Sequence, residues 1–561
     1  MALLDLPPDL LLSIADFLPE SALNALLQTN SSLYFLNARL YQHNVRYSHS
    51  NALLWASLYG HEPAVRRLLS HNADVNTTTI RRGPRRGIRR NKSAMRLMAD
   101  TLERAEKKSN CVTSLASPLV HAAAGGYVDI MELLIQHGAD IHATTLTNTN
   151  TTLRKPKRLM PCHCLSNPIM TAANHGHVPA IELLLHHGVD INVPQAACNS
   201  PLSLAAINGH VPAVRALLQN GADVNTIRRG TTPLVKAIQA NQLDAIRVLI
   251  NEGNADLTIT NHHPQLFTPL FWAVSQNNPA IISLLLNHAP AEIERRDAIG
   301  RTPLAFAVWE ERIEAIESLL SHGADINAAN RVGQTPLWWA VLSDSIPATK
   351  TLLTHGADTS VLAPLDDEDE VMPVLLAAMK RFHYGLVEVL LEHGIDPNCL
   401  SVSLSGQRGK EMTPLSLAVE YREVELVRML LRHGADPNAR GGRRESTLLD
   451  HAIAAGHVCI ATMLLDHGAD PNALVKLSGK RKGKVSPLCW ALKCRQFAIA
   501  RCLVDHGTDV TEPGLLVKAV GREDVGLTMA MLQRGAREGI NEALNLARFK
   551  KDGILEQLLT L

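Results

Sequence analysis

This chain of 561 residues lacks a charge excess of either sign, since 55 Lys and Arg stand against 54 Asp and Glu for a net charge of +1. A dedicated nucleic-acid binder carries a basic excess to neutralise phosphates, so the balance argues against that class. No stretch approaches the roughly 18 to 20 apolar residues of a membrane-spanning helix, which argues against a membrane partner. The opening MALLDLPPDLLL puts Asp5 and two prolines where a secretory signal has a basic lead. The nine cysteines are odd in number and scattered from Cys111 to Cys502, without the dense pairs of a disulfide scaffold. These absences together point to the cytoplasm or nucleus. Catalytic signatures are missing as well: there is no Gly-rich phosphate loop followed by Lys-Ser or Lys-Thr, no Gly-x-Ser-x-Gly elbow and no His-Glu-x-x-His. Neither an enzyme nor a cofactor is expected.

What the chain has is repetition. His-Gly-Ala-Asp or a near variant recurs at His137, His187, His322, His355, His433 and His467, each time after a leucine-rich run. Upstream of it, Thr-Pro-Leu or Ser-Pro-Leu recurs with prolines at Pro201, Pro233, Pro269, Pro303 and Pro336, 32 to 36 residues apart. In the clearest copy, Thr302 to Ala328, Thr302 suits an N-cap and Pro303 the first helical position, where a missing N–H costs nothing. Leu304, Phe306 and Ala307 form one apolar face; Ile313, Ile316, Leu319 and Leu320 recur at helical spacing on a second segment that stops at Gly323.

Helix, turn, helix and hairpin at a period near 33 resembles the ankyrin repeat. The resemblance implies an all-α ankyrin-repeat solenoid of about 13 units, with a first repeat at 48–76, an array over 117–540 and a C-terminal helical cap at 541–561 that turns Leu544, Leu546, Ile554, Leu558 and Leu559 inward. Four units depart from the pattern: Asn254 interrupts Gly-Ala-Asp, Ala289-Pro290 replaces Gly-Ala, Met372 stands for the capping Thr and Leu448 for the Pro. Most histidines occupy a repeated place beside a helix end, where an imidazole can bond to backbone. They read as punctuation rather than as catalytic groups.

Residues 1–47 lie outside the repeat. Leu6, Pro7, Leu10, Ile14 and Leu18 lie on a Pro-initiated helix, and Leu23, Leu26, Leu33 and Leu40 can close a small helical unit. This order resembles an F-box, the helical module by which F-box proteins dock on the Skp adaptor of a cullin-RING (SCF) ubiquitin ligase. The resemblance places Leu6, Pro7, Leu10, Ile14 and Leu18 at or behind the adaptor contact. An F-box followed by many ankyrin repeats is similar to an arrangement of filamentous fungal proteins. The alternative is that these helices only cap the solenoid, leaving an ankyrin-repeat scaffold or inhibitor.

Two insertions interrupt the early repeats. Residues 77–116 carry Arg81, Arg82, Arg85, Arg86, Arg89, Arg90 and Lys92, then Met95, Met98 and Leu102 at helical spacing, which reads as a solvated basic loop leading into a packed helix. The second, at 144–166, contains Cys162-His163-Cys164; a structural zinc site draws on two spaced pairs and no second pair is near, so no metal is expected.

A protein partner of such a solenoid meets the concave side lined by the short first helices. The non-template residues there are Asn208, Gln239, Trp309, Glu310, Leu342, Met379, Lys380, Glu420 and Tyr421, with Trp309 and Tyr421 foremost because aromatics dominate interface hot spots. Trp272 and Trp339 take the core leucine position of the template, and Trp338 and Phe271 an intermediate one.

Overall fold

The computed structural model describes residues 51–77, 116–143, 167–192, 199–228, 230–260, 266–365, 370–403, 412–440, 446–477, 483–522 and 524–560. The F-box-like stretch 1–47, with Leu6, Pro7, Leu10, Ile14 and Leu18, lies outside them, as do the arginine cluster and Cys162-His163-Cys164. The chain divides into two compact units, residues 1–289 and 290–561.

In the first unit, helices follow in pairs: α1 (Asn51–Leu58) with α2 (Glu62–Ser70), α3 (Pro118–Gly125) with α4 (Val128–Gln136), α5 (Pro168–His175) with α6 (Val178–His186), α7 (Pro201–Ile207) with α8 (Val211–Gln219), α9 (Pro233–Gln239) with α10 (Leu243–Asn251), and α11 (Pro269–Ser275) with α12 (Pro279–His288). The second unit opens on a 3₁₀ turn, Pro290–Glu294, and continues with α13 (Pro303–Trp309) and α14 (Ile313–Ser321), α15 (Pro336–Leu342) and α16 (Ile346–Thr354), α17 (Val374–Lys380) and α18 (Tyr384–Glu392), and α19 (Pro414–Tyr421) and α20 (Val424–Arg432). Then come α21 (Leu448–Ala455) and α22 (Val458–Asp466), α23 (Pro487–Lys493) and α24 (Phe497–Asp505), α25 (Leu515–Val520) and α26 (Val525–Gln533), and α27 (Ile540–Lys550) and α28 (Gly553–Thr560). The short strands β1 (Leu362–Pro364), β2 (Glu370–Pro373) and β3 (Val402–Ser403) pair antiparallel in that order, and β4 (Val475–Leu477) pairs with β5 (Gly483–Val485).

The first helices start where the residues dictate. The hydroxyl of Thr302 accepts from the Ala305 amide at 3.3 Å, that of Thr335 from Trp338 at 3.4 Å and that of Thr413 from Ser416 at 3.1 Å, each such cap being worth about 1 kcal/mol. Leu448 stands where most first helices have Pro, and there Thr447 and Asp450 close a capping box instead. Most second helices end on a left-handed turn such as Gly323 at φ 86°, whereas α12 ends at Ala289 and runs into the 3₁₀ turn. Leu304, Ala307, Ile316 and Leu319 are fully buried, while Ile313 and Leu320 are half-buried.

Between successive pairs, the hairpins are tied by one recurring bond. The Oδ1 of Asn192 accepts from the Asp223 amide at 2.9 Å, and Asn225, Asn327, Asn398, Asn438 and Asn472 each do the same for an aspartate amide of the following pair. Glu294 takes the role for Asp325. The histidines at the helix ends bond as their place suggests: Nδ1 of His137, His322 and His467 meets the carbonyl four residues earlier, whereas Nε2 of His177 and His210 reaches Ala124 O and Asn174 O of the preceding pair.

Three expectations are corrected. Helix α17 is capped by Pro373 and begins at Val374, one residue later than a cap at Met372 would place it. Trp338 and Phe271 are the buried rings, at 2% and 0% exposure, while Trp339 and Trp272 are half-buried, the reverse of the sequence assignment. The third residue after the cap points into the stack in nearly every pair (Val120, Met170, Val235, Phe271, Ala305, Trp338), whereas the fourth (His121, Thr171, Lys236, Trp272, Trp339) lies at the rim. In the last pair, Ile554 is 63% exposed; the buried residues are Ala543 and Ala547 on α27 and Leu555 and Leu559, four apart, on α28.

Candidate functional site

The end of each first helix is the part of the repeat that the template leaves free. Seven and eight residues after the cap, the backbone turns toward the second helix, so side chains there are not covered by it. In the second unit these places hold Trp309 and Glu310, Leu342 and Ser343, Lys380 and Arg381, and Glu420 and Tyr421. Trp309, Glu310 and Glu420 are exposed, and Leu342, Lys380 and Tyr421 half-buried. Met379 is fully buried and offers no surface to a partner: with α17 beginning at Val374, it falls on the core position of Val308 and Val341. In the first unit Asn208 is exposed and Gln239 half-buried. Around Asn208 that face is polar, with Asn208 Nδ2 donating to Asn174 Oδ1 at 3.1 Å and to Leu204 O at 2.9 Å, whereas Leu58 and Tyr59 at the end of α1 are exposed apolar side chains.

Two groups of aromatic side chains lie at the first-helix ends of the second unit. Trp309, 40% exposed, meets Trp339 edge to face, with centroids 5.5 Å apart and planes at 90°. Trp339 is held from behind by the guanidinium of Arg301, 5.7 Å from its ring and 5.2 Å from that of Phe306. Arg301 is itself fixed by Asp297, whose Oδ2 accepts from Nε at 2.8 Å, and both side chains are buried. A buried ion pair thus sets Trp339, and Trp339 sets the exposed Trp309.

The second group is centred on a residue that sequence reasoning missed. Phe382 is 57% exposed and lies 5.4 Å from the Tyr421 ring and 6.3 Å from that of Tyr384. Its backbone has φ 63°, a left-handed conformation that Gly126, Gly176, Gly209 and Gly456 adopt at the same turn in other pairs. For a bulky side chain this costs about 1 to 2 kcal/mol. The signal was present in the sequence: Phe382-His383 stands where other units read Gly-His. Burial, with a hydrogen bond to Glu423 adding to it, raises the Tyr384 phenol above its ordinary range, so it remains a neutral hydroxyl.

Burial pushes the Cys399 thiol up to about 12, which keeps it protonated and weakly nucleophilic. Among the described residues, no group of three or more His, Cys, Asp or Glu is arranged to hold a metal ion, and no helix is long and apolar enough to cross a membrane. An open cleft of about 480 Å³ in the first unit, lined by Val211, Arg215, Asp244, Arg247 and Glu252, is spanned by the Arg215–Glu252 ion pair at 2.7 Å.

Comparison with known proteins gives a consistent answer. The family model described as ankyrin repeats (3 copies) matches residues 169–261, 255–330 and 374–474, and that described as ankyrin repeat matches 48–80 and 115–146. Ankyrin repeat domain-containing protein 29 of Danio rerio is 37% identical over 62 residues, covering 11% of this chain and 21% of that protein. Ankyrin repeat and SOCS box protein 6 of Homo sapiens is 37% identical over 98 residues, covering 17% of this chain and 23% of its own. The chain thus spans about a fifth of the length of such curated relatives. Among solved structures, the human ASB11 ankyrin repeat domain aligns at 22% identity over 49% of this chain and 98% of that one, with a TM-score of 0.36.

Proposed function

Because the chain belongs to the ankyrin-repeat family, whose scaffold serves protein–protein interaction and is typically non-enzymatic, we propose that it is an adaptor that holds a protein partner on the first-helix face of its second unit. The observation that carries this reading is the row of aromatic side chains there. Trp309 and Phe382 are exposed although each has aromatic neighbours to pack on, and Phe382 keeps its place at a cost in backbone strain. Large exposed rings on a rigid base lose little side-chain entropy on binding, which is what makes such residues anchors.

The finer proposal concerns the other end of the chain. Residues 1–47, through Leu6, Pro7, Leu10, Ile14 and Leu18, engage the Skp adaptor of a cullin-RING ubiquitin ligase, and the repeats present the partner as its substrate in the cytoplasm or nucleus. The mechanism is proximity: holding both proteins on one chain raises the effective concentration of substrate lysines near the ubiquitin-charged enzyme. The resemblance of 1–47 to an F-box supports it. So does a relative that by its name joins ankyrin repeats to a second module, a SOCS box.

Two measurements test the two halves separately. Affinity of the purified chain for the Skp adaptor is compared with that of Leu6→Ala with Pro7→Ala; binding lost in the variant supports the ligase reading, and no binding in either leaves a solenoid scaffold or inhibitor. Cross-linking in cells is compared for wild type, Trp309→Ala with Phe382→Gly, and Asn208→Ala in the first unit. Loss of the same cross-linked protein from the aromatic variant alone supports the binding face, and equal recovery from all three refutes it.

A further inference from the structure

The last pairs of the second unit carry cations around the ends of their first helices, with Lys518 a turn earlier on its helix than the others. Lys493 ends α23 and Arg495 follows it at φ 61°; Lys518 lies on α25 and Arg522 just beyond its end; Lys550 ends α27 and Lys551 follows at φ 60°. All six are exposed. The first helices α23, α25 and α27 pack in succession, and the cations step across them. Lys518 Nζ lies 3.3 Å from Cys489 Sγ on α23, and Lys550 Nζ donates to the Gly521 carbonyl at the end of α25, at 2.6 Å.

Part of this charge is left uncompensated. Among the described residues, Lys493, Arg495, Lys518 and Arg522 have no ion-pair partner. Among the described residues, Glu512 is engaged by the Ser486 hydroxyl, Asp524 by the Leu527 amide at 2.9 Å, Asp552 by the Leu555 amide at 3.1 Å, and Glu556 by Arg548 at 2.8 Å. Cations at a helix C-terminus are favoured by its dipole, but the dipole does not demand them. The same places in three other pairs hold Trp309, Glu310 and Glu311; Leu342, Ser343 and Asp344; and Ala454, Ala455 and Gly456. Apolar surface lies beside the charge, since Phe549 is 85% exposed and Trp490 half-buried.

We propose that this face is a docking surface for an acidic peptide segment, distinct from the aromatic row. Packed helices stand about 8 to 10 Å apart, close to three residues of extended chain at about 3.3 Å each. A carboxylate at every third position therefore meets Lys493 and Arg495, then Lys518 and Arg522, then Lys550 and Lys551, with an apolar side chain between them on Phe549 or Trp490. Charge complementarity selects the sign of the partner. Polypeptide is favoured over nucleic acid because the cations are few and the chain as a whole carries only +1, where a duplex presents a phosphate about every 1.7 Å along its axis.

The test uses the full chain and a fluorescein-labelled peptide, Asp-Ala-Ala-Glu-Leu-Ala-Asp, read by anisotropy. Its amide counterpart with Asn and Gln, and a single-stranded oligonucleotide, serve as competitors at equal salt. The acidic peptide should bind, weaken as salt is raised, and lose about tenfold in affinity with Lys493→Glu plus Arg495→Glu, a change of about 1.4 kcal/mol. Lys350→Glu on α16 should leave binding unchanged. Hydrogen exchange of α23 and α24 checks that the variant is folded, and Arg522→Ser, outside any helix, gives a milder second reading. Affinity indifferent to these substitutions, or equal for the amide peptide, overturns the proposal; tighter binding of the oligonucleotide assigns the face to phosphate instead.

Discussion

Gly176 and Gly188 give a paired test of how one repeat locks the next. Both are left-handed, at φ 75° and φ 83°, so alanine at either costs about 1 to 2 kcal/mol of backbone strain. Beyond the backbone they differ. A Cβ on Gly188 has no neighbour within 4 Å, whereas one on Gly176 lies 2.6 Å from Cγ and 2.7 Å from Nδ1 of His210. The ring must move, and its Nε2 contact with Asn174 O at 3.1 Å is lost. That bond is worth about 1 kcal/mol, so Gly176→Ala should cost about 2 to 3 kcal/mol against about 1 to 2 for Gly188→Ala. Repeat arrays need not unfold as one cooperative unit, so the readout is amide hydrogen exchange. Protection should fall in α5 to α8 for Gly176→Ala and stay near the α6 end for Gly188→Ala. Equal costs, or a larger one at Gly188, would refute the claim that His210 is wedged by this contact rather than free to swing.

The other predictions concern the second unit. Leu319→Ala, at a fully buried position on α14, should cost about 2 to 5 kcal/mol and loosen its neighbours to proteolysis; a cost below about 0.5 kcal/mol would contradict its place in the core. Arg301→Ala leaves the buried Asp297 carboxylate unpaired and should cost about 3 to 5 kcal/mol, while releasing Trp339 and so changing tryptophan fluorescence. Phe382→Gly should stabilise by up to about 1 kcal/mol by relieving the left-handed strain and should weaken partner binding, a combination that a purely structural Phe382 would not show. His506 donates to Cys502 O at 2.7 Å and to Asp466 Oδ1 at 3.0 Å, which only the imidazolium can do from both nitrogens at once, and the carbonyl bond foremost raises it above the ordinary 6.5. Its stabilisation of α22 against α24 is therefore complete below pH 6.5 and lost as pH rises through the raised value; exchange protection of these helices should decline across that window in the wild type and not in His506→Asn.

The sequence by itself determined the repeat. Capping Ser or Thr, Pro at the first turn, apolar spacing and the helix-ending Gly are local signals, and each acts within a few residues of where it stands. For that reason Thr302, Pro303, Leu319 and Gly323 could be placed without knowing what packs on them. Direction within the stack is another matter. Whether Trp338 or Trp339 enters the core is decided by the neighbouring helix pairs, and two adjacent rings of one kind carry no local mark to tell them apart. Met379 was misplaced because Met372-Pro373 imitates Thr-Pro, while pairing of β2 carries the chain one residue further before α17 begins. The gathering of Trp309 with Trp339, of Phe382 with Tyr421, and of the cations on α23, α25 and α27 belongs to tertiary structure alone. These residues are about one repeat apart in sequence, and only the stacking of one pair on the next, through backbone and core contacts that the binding residues do not make, brings them onto one surface.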